Sequence, residues 1–112
     1  MMAASSSFQV RWTETAEEDL TAIVEYIAAE NPDAALVIFD RISRHAAELH
    51  EFPERGRVVP ELHRFGIANY RELLPSPWRV IYRIEQKTVF VTAVLDGRRD
   101  LEDLLLERVG RW

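Results

Sequence analysis

Between Trp78 and Leu95 the chain runs twice through an alternating pattern, Trp-Arg-Val-Ile-Tyr-Arg-Ile and Thr-Val-Phe-Val-Thr-Ala-Val-Leu, broken only around Glu85-Gln86-Lys87. A period of two belongs to pleated strands, and so short a break reverses the chain into a hairpin. Trp78, Val80, Tyr82 and Ile84 then share one face, leaving Arg79, Ile81 and Arg83 on the other. Tyr70-Arg71-Glu72-Leu73 reads as a strand before them, separated by Leu74-Pro75-Ser76-Pro77, a turn because neither proline can donate to a ladder. Guanidinium groups at alternate strand positions require a face that meets solvent or an anionic partner. The functional question therefore starts between Tyr70 and Asp100.

Two helices must precede this sheet. Phe8-Gln9-Val10-Arg11-Trp12 alternates as a short strand, and Thr13 or Thr15 follows as an N-cap. Thr15 with Glu18 matches a capping box, and Glu14, Glu17, Glu18 and Asp19 crowd the end where the helix dipole favours acids. Leu20, Ile23, Val24 and Ile27 form its apolar stripe, and the helix is expected to stop near Glu30. Asn31-Pro32 starts a second helix, with Ala35, Ile38, Phe39, Ile42, Ala46 and Leu49 as its buried stripe and Pro53 as its stop. The short link makes an antiparallel helical hairpin whose stripes need the sheet to pack on. The segment from Glu54 through Gly66 reads as irregular. After Asp96-Gly97, Asp100 can cap a last helix through Leu101, Leu104, Leu105 and Val109. The expected fold is α+β, in the order β-α-α-β-β-β-α, the hairpin packed on a mainly antiparallel sheet.

A length of 112 residues suits one domain, expected over 8–109, with a disordered tail at 1–7 and a C-terminal tail at 110–112. With no cysteine, thiolate metal sites, thiol nucleophiles and disulfides are excluded, and an intracellular, cytoplasmic setting is favoured. Charges interrupt every apolar stretch well short of the roughly 20 residues of a membrane span. The net charge of -5 is unevenly placed: -8 over residues 1–54, +5 over 55–99 and -2 over 100–112. The basic middle is almost all arginine, with Lys87 the only lysine of the chain, and Arg offers a planar fork suited to carboxylates and phosphates. High-GC codon usage would produce the same bias.

In order and motif the chain resembles the RelE/ParE superfamily of type II toxins. The resemblance rests on Trp12-Thr13 opening an acidic helix, Asn31-Pro32 between helices, Phe52-Pro53 with Gly56-Arg57, Tyr70-Arg71, the run Trp78 to Ile84, and Val94-Leu95-Asp96-Gly97-Arg98-Arg99-Asp100. It is nearest the ParE-like branch, often called plasmid stabilisation proteins. There a His typically precedes Gly-Arg-Arg-Asp; here Asp96 stands in its place. The resemblance implies a toxin held inactive in a hetero-oligomer by a cognate antitoxin, which itself contacts DNA, and a helical hairpin covering one sheet face.

For the RelE-like branch the resemblance implies ribosome-dependent mRNA cleavage, which needs a base, cations for the charged phosphorane and an acid. Arg71, Arg79 and Arg98 or Arg99 match basic positions of that branch. Leu73 stands where a second basic strand residue would alternate, and Leu104 and Leu105 occupy the region of a late tyrosine. His45 and His50 splay on one helix and His63 lies in the irregular segment, so no metal or cofactor site is expected. The ParE-like branch implies instead growth inhibition through a protein target such as DNA gyrase. A non-toxic antitoxin-binding module is a third possibility. No catalytic residue is assigned; Arg71, Arg79, Arg83, Arg98 and Arg99 are expected to contact antitoxin carboxylates or the target. The alternative for some is pairing with Glu72, Glu85, Asp96 or Asp100 on neighbouring strands. Arg79 is the strongest of these candidates, and Arg79→Ala is expected to weaken toxicity more than it weakens folding.

Overall fold

Strand β1 (Gln9–Trp12) runs directly into helix α1 (Glu14–Ala28) because the Thr13 hydroxyl accepts from Ala16 N at 3.2 Å; Thr13, not the Thr15–Glu18 pair, is the cap. The computed structural model describes residues 7–112, so the expected tail lies, Ser7 apart, outside the described residues. Asn31 accepts from Ala34 N at 3.1 Å and starts α2 (Pro32–Ala47), which tightens into a single 3-10 turn at Glu48–His50. Ala35, Ile42, Ala46 and Leu49 are buried as the spacing requires, whereas Phe39 is 46% exposed and does not belong to the buried stripe. Among the described residues no helix is long and apolar enough to cross a membrane.

The segment expected to be irregular holds two more elements, β2 (Arg57–Val58) and α3 (Pro60–His63). Both are too short to leave a periodicity in sequence. Strands β3 (Tyr70–Leu73), β4 (Trp78–Glu85) and β5 (Thr88–Asp96) complete a sheet in the order β1-β5-β4-β3-β2, antiparallel except for β1 against β5. Helix α4 (Glu102–Val109) follows, with Asp100 Oδ1 accepting from Glu102 N at 3.3 Å although Leu101 holds the cap position.

A bulge determines which side chains of β5 face which layer. Ile81 pairs with Ala93 and Tyr82 with Val91, so Thr92 is an extra residue, its buried hydroxyl donating to Ile81 O at 3.2 Å. Val89, Val91 and Val94 thereby join Trp78, Val80 and Tyr82 beneath the helical hairpin, while Ala93 and Leu95 turn to the opposite face. That opposite face is not open to solvent. Leu62 of α3 and Leu101 and Leu105 beside and within α4 pack on Ile81, Tyr70 and Leu95 as a second core. Trp112 lies against Tyr70, ring centroids 5.0 Å apart, so the expected C-terminal tail is docked at its last residue.

Two contacts tie the layers. Among the described residues the outer edge of β5 beyond β1 has no strand neighbour, and Asp19 of α1 accepts from Val94 N at 3.1 Å. The same carboxylate takes both guanidinium nitrogens of Arg108 in α4 at 2.9 Å each, joining helices on opposite faces of the sheet. At the other edge Gly56 N donates to the Tyr82 hydroxyl at 2.9 Å. A Cβ on Gly56 would lie 2.5 Å from Glu72 O and 2.7 Å from that hydroxyl. Gly56→Ala is therefore expected to cost about 2 kcal/mol, because backbone and a core tyrosine must both move; urea unfolding measures it.

Candidate functional site

The expected arginines do not converge on one surface. Arg79 rises from β4 on the face away from the hairpin, where Glu72 of β3 lies beside it and α3 brings Glu61 over the top. Its two terminal nitrogens donate to Glu61 at 2.7 Å each, and its Nε donates to Glu72 Oε1 at 2.6 Å. Arg57 Nε adds a bond of 2.7 Å to Glu72 Oε2. The Arg79 side chain is 9% exposed and that of Glu72 fully buried. Arg79 thus binds anions, but they are two carboxylates of its own chain, and it fixes α3 to the sheet.

Hydrogen bonding from Arg79 holds the Glu61 carboxyl at about 2, against an ordinary value of 4.5, with burial opposing. A carboxyl whose folded value is lowered stabilises the fold fully above its unfolded value and progressively less as pH falls toward the folded one. Stability is accordingly expected to decline between pH 4.5 and about 2. Glu61→Gln should make that decline shallower, as read from urea midpoints over the same range.

The other four arginines occupy separate places. Arg71 alternates onto the hairpin side of β3, where it donates to Gly56 O at 2.8 Å and Glu54 O at 3.4 Å, carbonyls that leave its charge uncompensated. Arg83, four residues beyond Arg79 on the same face of β4, lies over the Phe90 ring at 4.6 Å, with Glu85 3.8 Å away. Arg98 folds back on Asp96 through bonds of 2.9 and 2.8 Å and faces the Trp78 ring at 5.8 Å. These bonds hold Asp96 at about 2. Arg99 is exposed, with no ion-pair partner among the described residues.

Trp78 links this region to the hairpin. A hollow of about 320 Å³ is lined by Arg57, Leu74, Ser76, Pro77, Trp78, Arg79 and Gly97. A second hollow of about 450 Å³, mostly apolar, continues past Pro77 and Trp78 to Ile23, Tyr26 and Ile38, with Asp96 and Arg98 at its rim. The indole Nε1 of Trp78 is buried without an acceptor. Arg41 reaches the same turn, donating to Ser76 O at 2.7 Å.

Two tyrosines stand directly across neighbouring strands from these cations, Tyr70 opposite Arg83 and Tyr82 opposite Arg71. Burial raises the hydroxyls of Tyr70 and Tyr82 above their usual range, and the Tyr82 oxygen is engaged by Gly56. His45 bonds Arg41 O through Nδ1 at 2.9 Å, while His50 and His63 are exposed on other elements. No group of three or more potential metal ligands occurs among the described residues. Glu61 and Arg108 left no signal in the sequence, while Arg57 entered only within the Gly56-Arg57 motif and Asp19 only as one of the acids at the start of α1. Glu72, Glu85 and Asp96, expected as alternative partners for the arginines, do lie against Arg79, Arg83 and Arg98.

A family model described as the ParE toxin of the type II toxin-antitoxin system parDE matches residues 10–101. The chain belongs to this family. It is a type II toxin of the RelE/ParE superfamily, and its relatives bear names from both branches. The ParE-family match extends from Val10 in β1 to Leu101 at the start of α4. Toxin RelE2 of Caulobacter vibrioides is 37% identical over 92 residues, 81% of this chain and 97% of the relative. Among solved structures, the chromosomal ParDE system from P. aeruginosa superposes with a TM-score of 0.66 at 20% identity, covering 81% of this chain and 97% of that one. The toxin-antitoxin complex RelBE2 from Mycobacterium tuberculosis gives 0.55 at 22% identity over 80% and 91%. At such identities the two structures establish a shared fold.

Proposed function

We propose that this ParE-family chain arrests growth by binding a protein target such as DNA gyrase in the cytoplasm, and that a cognate antitoxin neutralises it in a hetero-oligomer. The observation that carries the reading is the internal use of Arg79. A nuclease needs its central strand cation turned toward a phosphate, whereas this guanidinium is bonded to Glu61 and Glu72. The absence of a proton donor at Leu104 and Leu105 points the same way. No cofactor enters this mechanism, and DNA is met only through the antitoxin.

Arg71, Arg83, Arg98 and Arg99 are the proposed contacts for antitoxin carboxylates or the target. Arg79 acts as a positioning residue, holding α3 to the sheet through Glu61. An antitoxin segment of alternating carboxylates and apolar anchors would suit Arg98, Arg99 and the apolar hollow beside Trp78.

Gyrase supercoiling with purified protein, run beside ribosome-dependent mRNA cleavage, tests the reading. Inhibition of supercoiling without mRNA cleavage is the expected result. Cleavage without inhibition would establish the RelE-like alternative, which the relative named RelE2 keeps in view. Induced expression that leaves growth unchanged would favour the non-toxic module.

A further inference from the structure

The outer surface of the helical hairpin is acidic beyond the acids that its two helix N-termini favour. Residues 14–47 carry eight acidic and two basic side chains. Asp19 is engaged with Arg108 and Asp40 pairs with Arg44 at 2.7 Å. Glu14, Glu17, Glu18, Glu25, Glu30 and Asp33 are all exposed, with no ion-pair partner among the described residues. Among these acids, within one turn of α2, Leu36 and Val37 are 67% and 64% exposed, followed by the half-exposed Phe39. Phe39 borders a hollow of about 440 Å³ whose wall includes Trp12, Leu20 and Glu17. Contiguous exposed apolar surface rimmed by polar residues is a mark of interaction sites. Arg57, Arg79 and Arg98 differ, being bonded to the chain's own carboxylates.

We propose that this acidic, apolar-studded face of the hairpin is where the chain meets its growth-inhibition target, and that the complementary target surface is basic, with apolar anchors for Leu36, Val37 and Phe39. The inference rests on the protein-target reading above and names the chemistry of the target's side. Unpaired carboxylates steer a basic surface into register, and the apolar turn supplies contacts that persist when salt screens the charges. An enzyme that grips DNA carries such basic surface by necessity, because it must neutralise phosphates. An acidic antitoxin segment is repelled from this face.

The test compares the full chain with two variants, Leu36→Ser with Val37→Ser, and Glu17→Lys with Asp33→Lys. Asp103→Ser with Glu107→Gln, acids on α4, serves as control. Readouts are half-inhibitory concentration in gyrase supercoiling at two salt concentrations, growth arrest on induction, and thermal midpoint. Both hairpin variants are expected to inhibit about tenfold less well or worse, in line with the loss of interface anchors, with thermal midpoints near that of the unaltered chain. The charge variant should also lose salt dependence, and the control should change neither. Hairpin variants that inhibit and arrest growth as the unaltered chain does would overturn the proposal. If the unaltered chain arrests growth without touching gyrase, the gyrase reading falls, and undiminished arrest by the hairpin variants still overturns the docking face. If it neither inhibits gyrase nor arrests growth, the protein-target reading falls and the proposal falls with it.

Discussion

Arg79→Ala is expected to lower unfolding free energy by about 3–5 kcal/mol, the cost of stranding a buried carboxylate without its cation. Glu72 has no exposed side-chain surface, and its remaining partner would be Arg57, whose side chain is half exposed. Glu61 would lose both of its bonds, and α3 its attachment to the sheet. Urea denaturation followed by circular dichroism measures the loss. The partner variant Glu72→Ala should cost less, because Arg79 keeps both bonds to Glu61, and the double variant should cost less than the sum, because no buried Glu72 carboxylate is then left without the Arg79 cation. Full additivity would sink the idea that the two act as a unit. Toxicity should fall in step with stability for Arg79→Ala, in contrast to the sequence-based expectation that binding would suffer first.

Asp19→Ala should cost about 3 kcal/mol, although Asp19 stands on an acidic helix whose other carboxylates bear on stability far less. One side chain satisfies the Val94 amide on the uncovered edge of β5 and both terminal nitrogens of Arg108. Its removal strands a backbone donor and a largely buried guanidinium together. Burial opposes the charge of Arg108, yet its proton is held more firmly than usual because the hydrogen bond to Asp19 outweighs that burial. Asp19→Asn retains an acceptor for Val94 and should recover part of the loss. Hydrogen exchange offers a local check: the Val94 amide should exchange faster in Asp19→Ala, while the amide of Ile81 in the centre of the sheet tracks global stability alone. Equal protection of Val94 in both proteins would refute the role given to Asp19.

Much of the fold follows from periodicity. Trp78, Val80, Tyr82 and Ile84 do face the hairpin, and Asn31-Pro32 does separate its helices, because alternation and capping are local properties of the chain. The second layer is less legible. Arg57 and Val58 are too few to show alternation, and Pro60 to His63 make barely one helical turn. A sheet face bearing Arg79 and Arg83 therefore reads as exposed, although Glu61 arrives from 18 residues upstream to neutralise Arg79. The Thr92 bulge hides in the same way, since a strict period of two would set Val94 opposite Val91. Phe39 reads as core because hydrophobicity is visible in sequence and exposure is not. The site suffers most from this limit, because an arginine's partner is a matter of tertiary geometry.

The parallel pairing of β1 with β5 has a consequence for how the protein is made. Val10 pairs with Val89, so the first strand waits for the last. At roughly 5–20 residues per second, a ribosome leaves β1 and the stripe of α1 without their sheet for on the order of ten seconds. The Asp19 to Arg108 bond, spanning 89 positions, closes later still. No growing chain can hold the finished surface before synthesis of α4, so every molecule passes through an interval in which it is vulnerable to capture, proteolysis or aggregation.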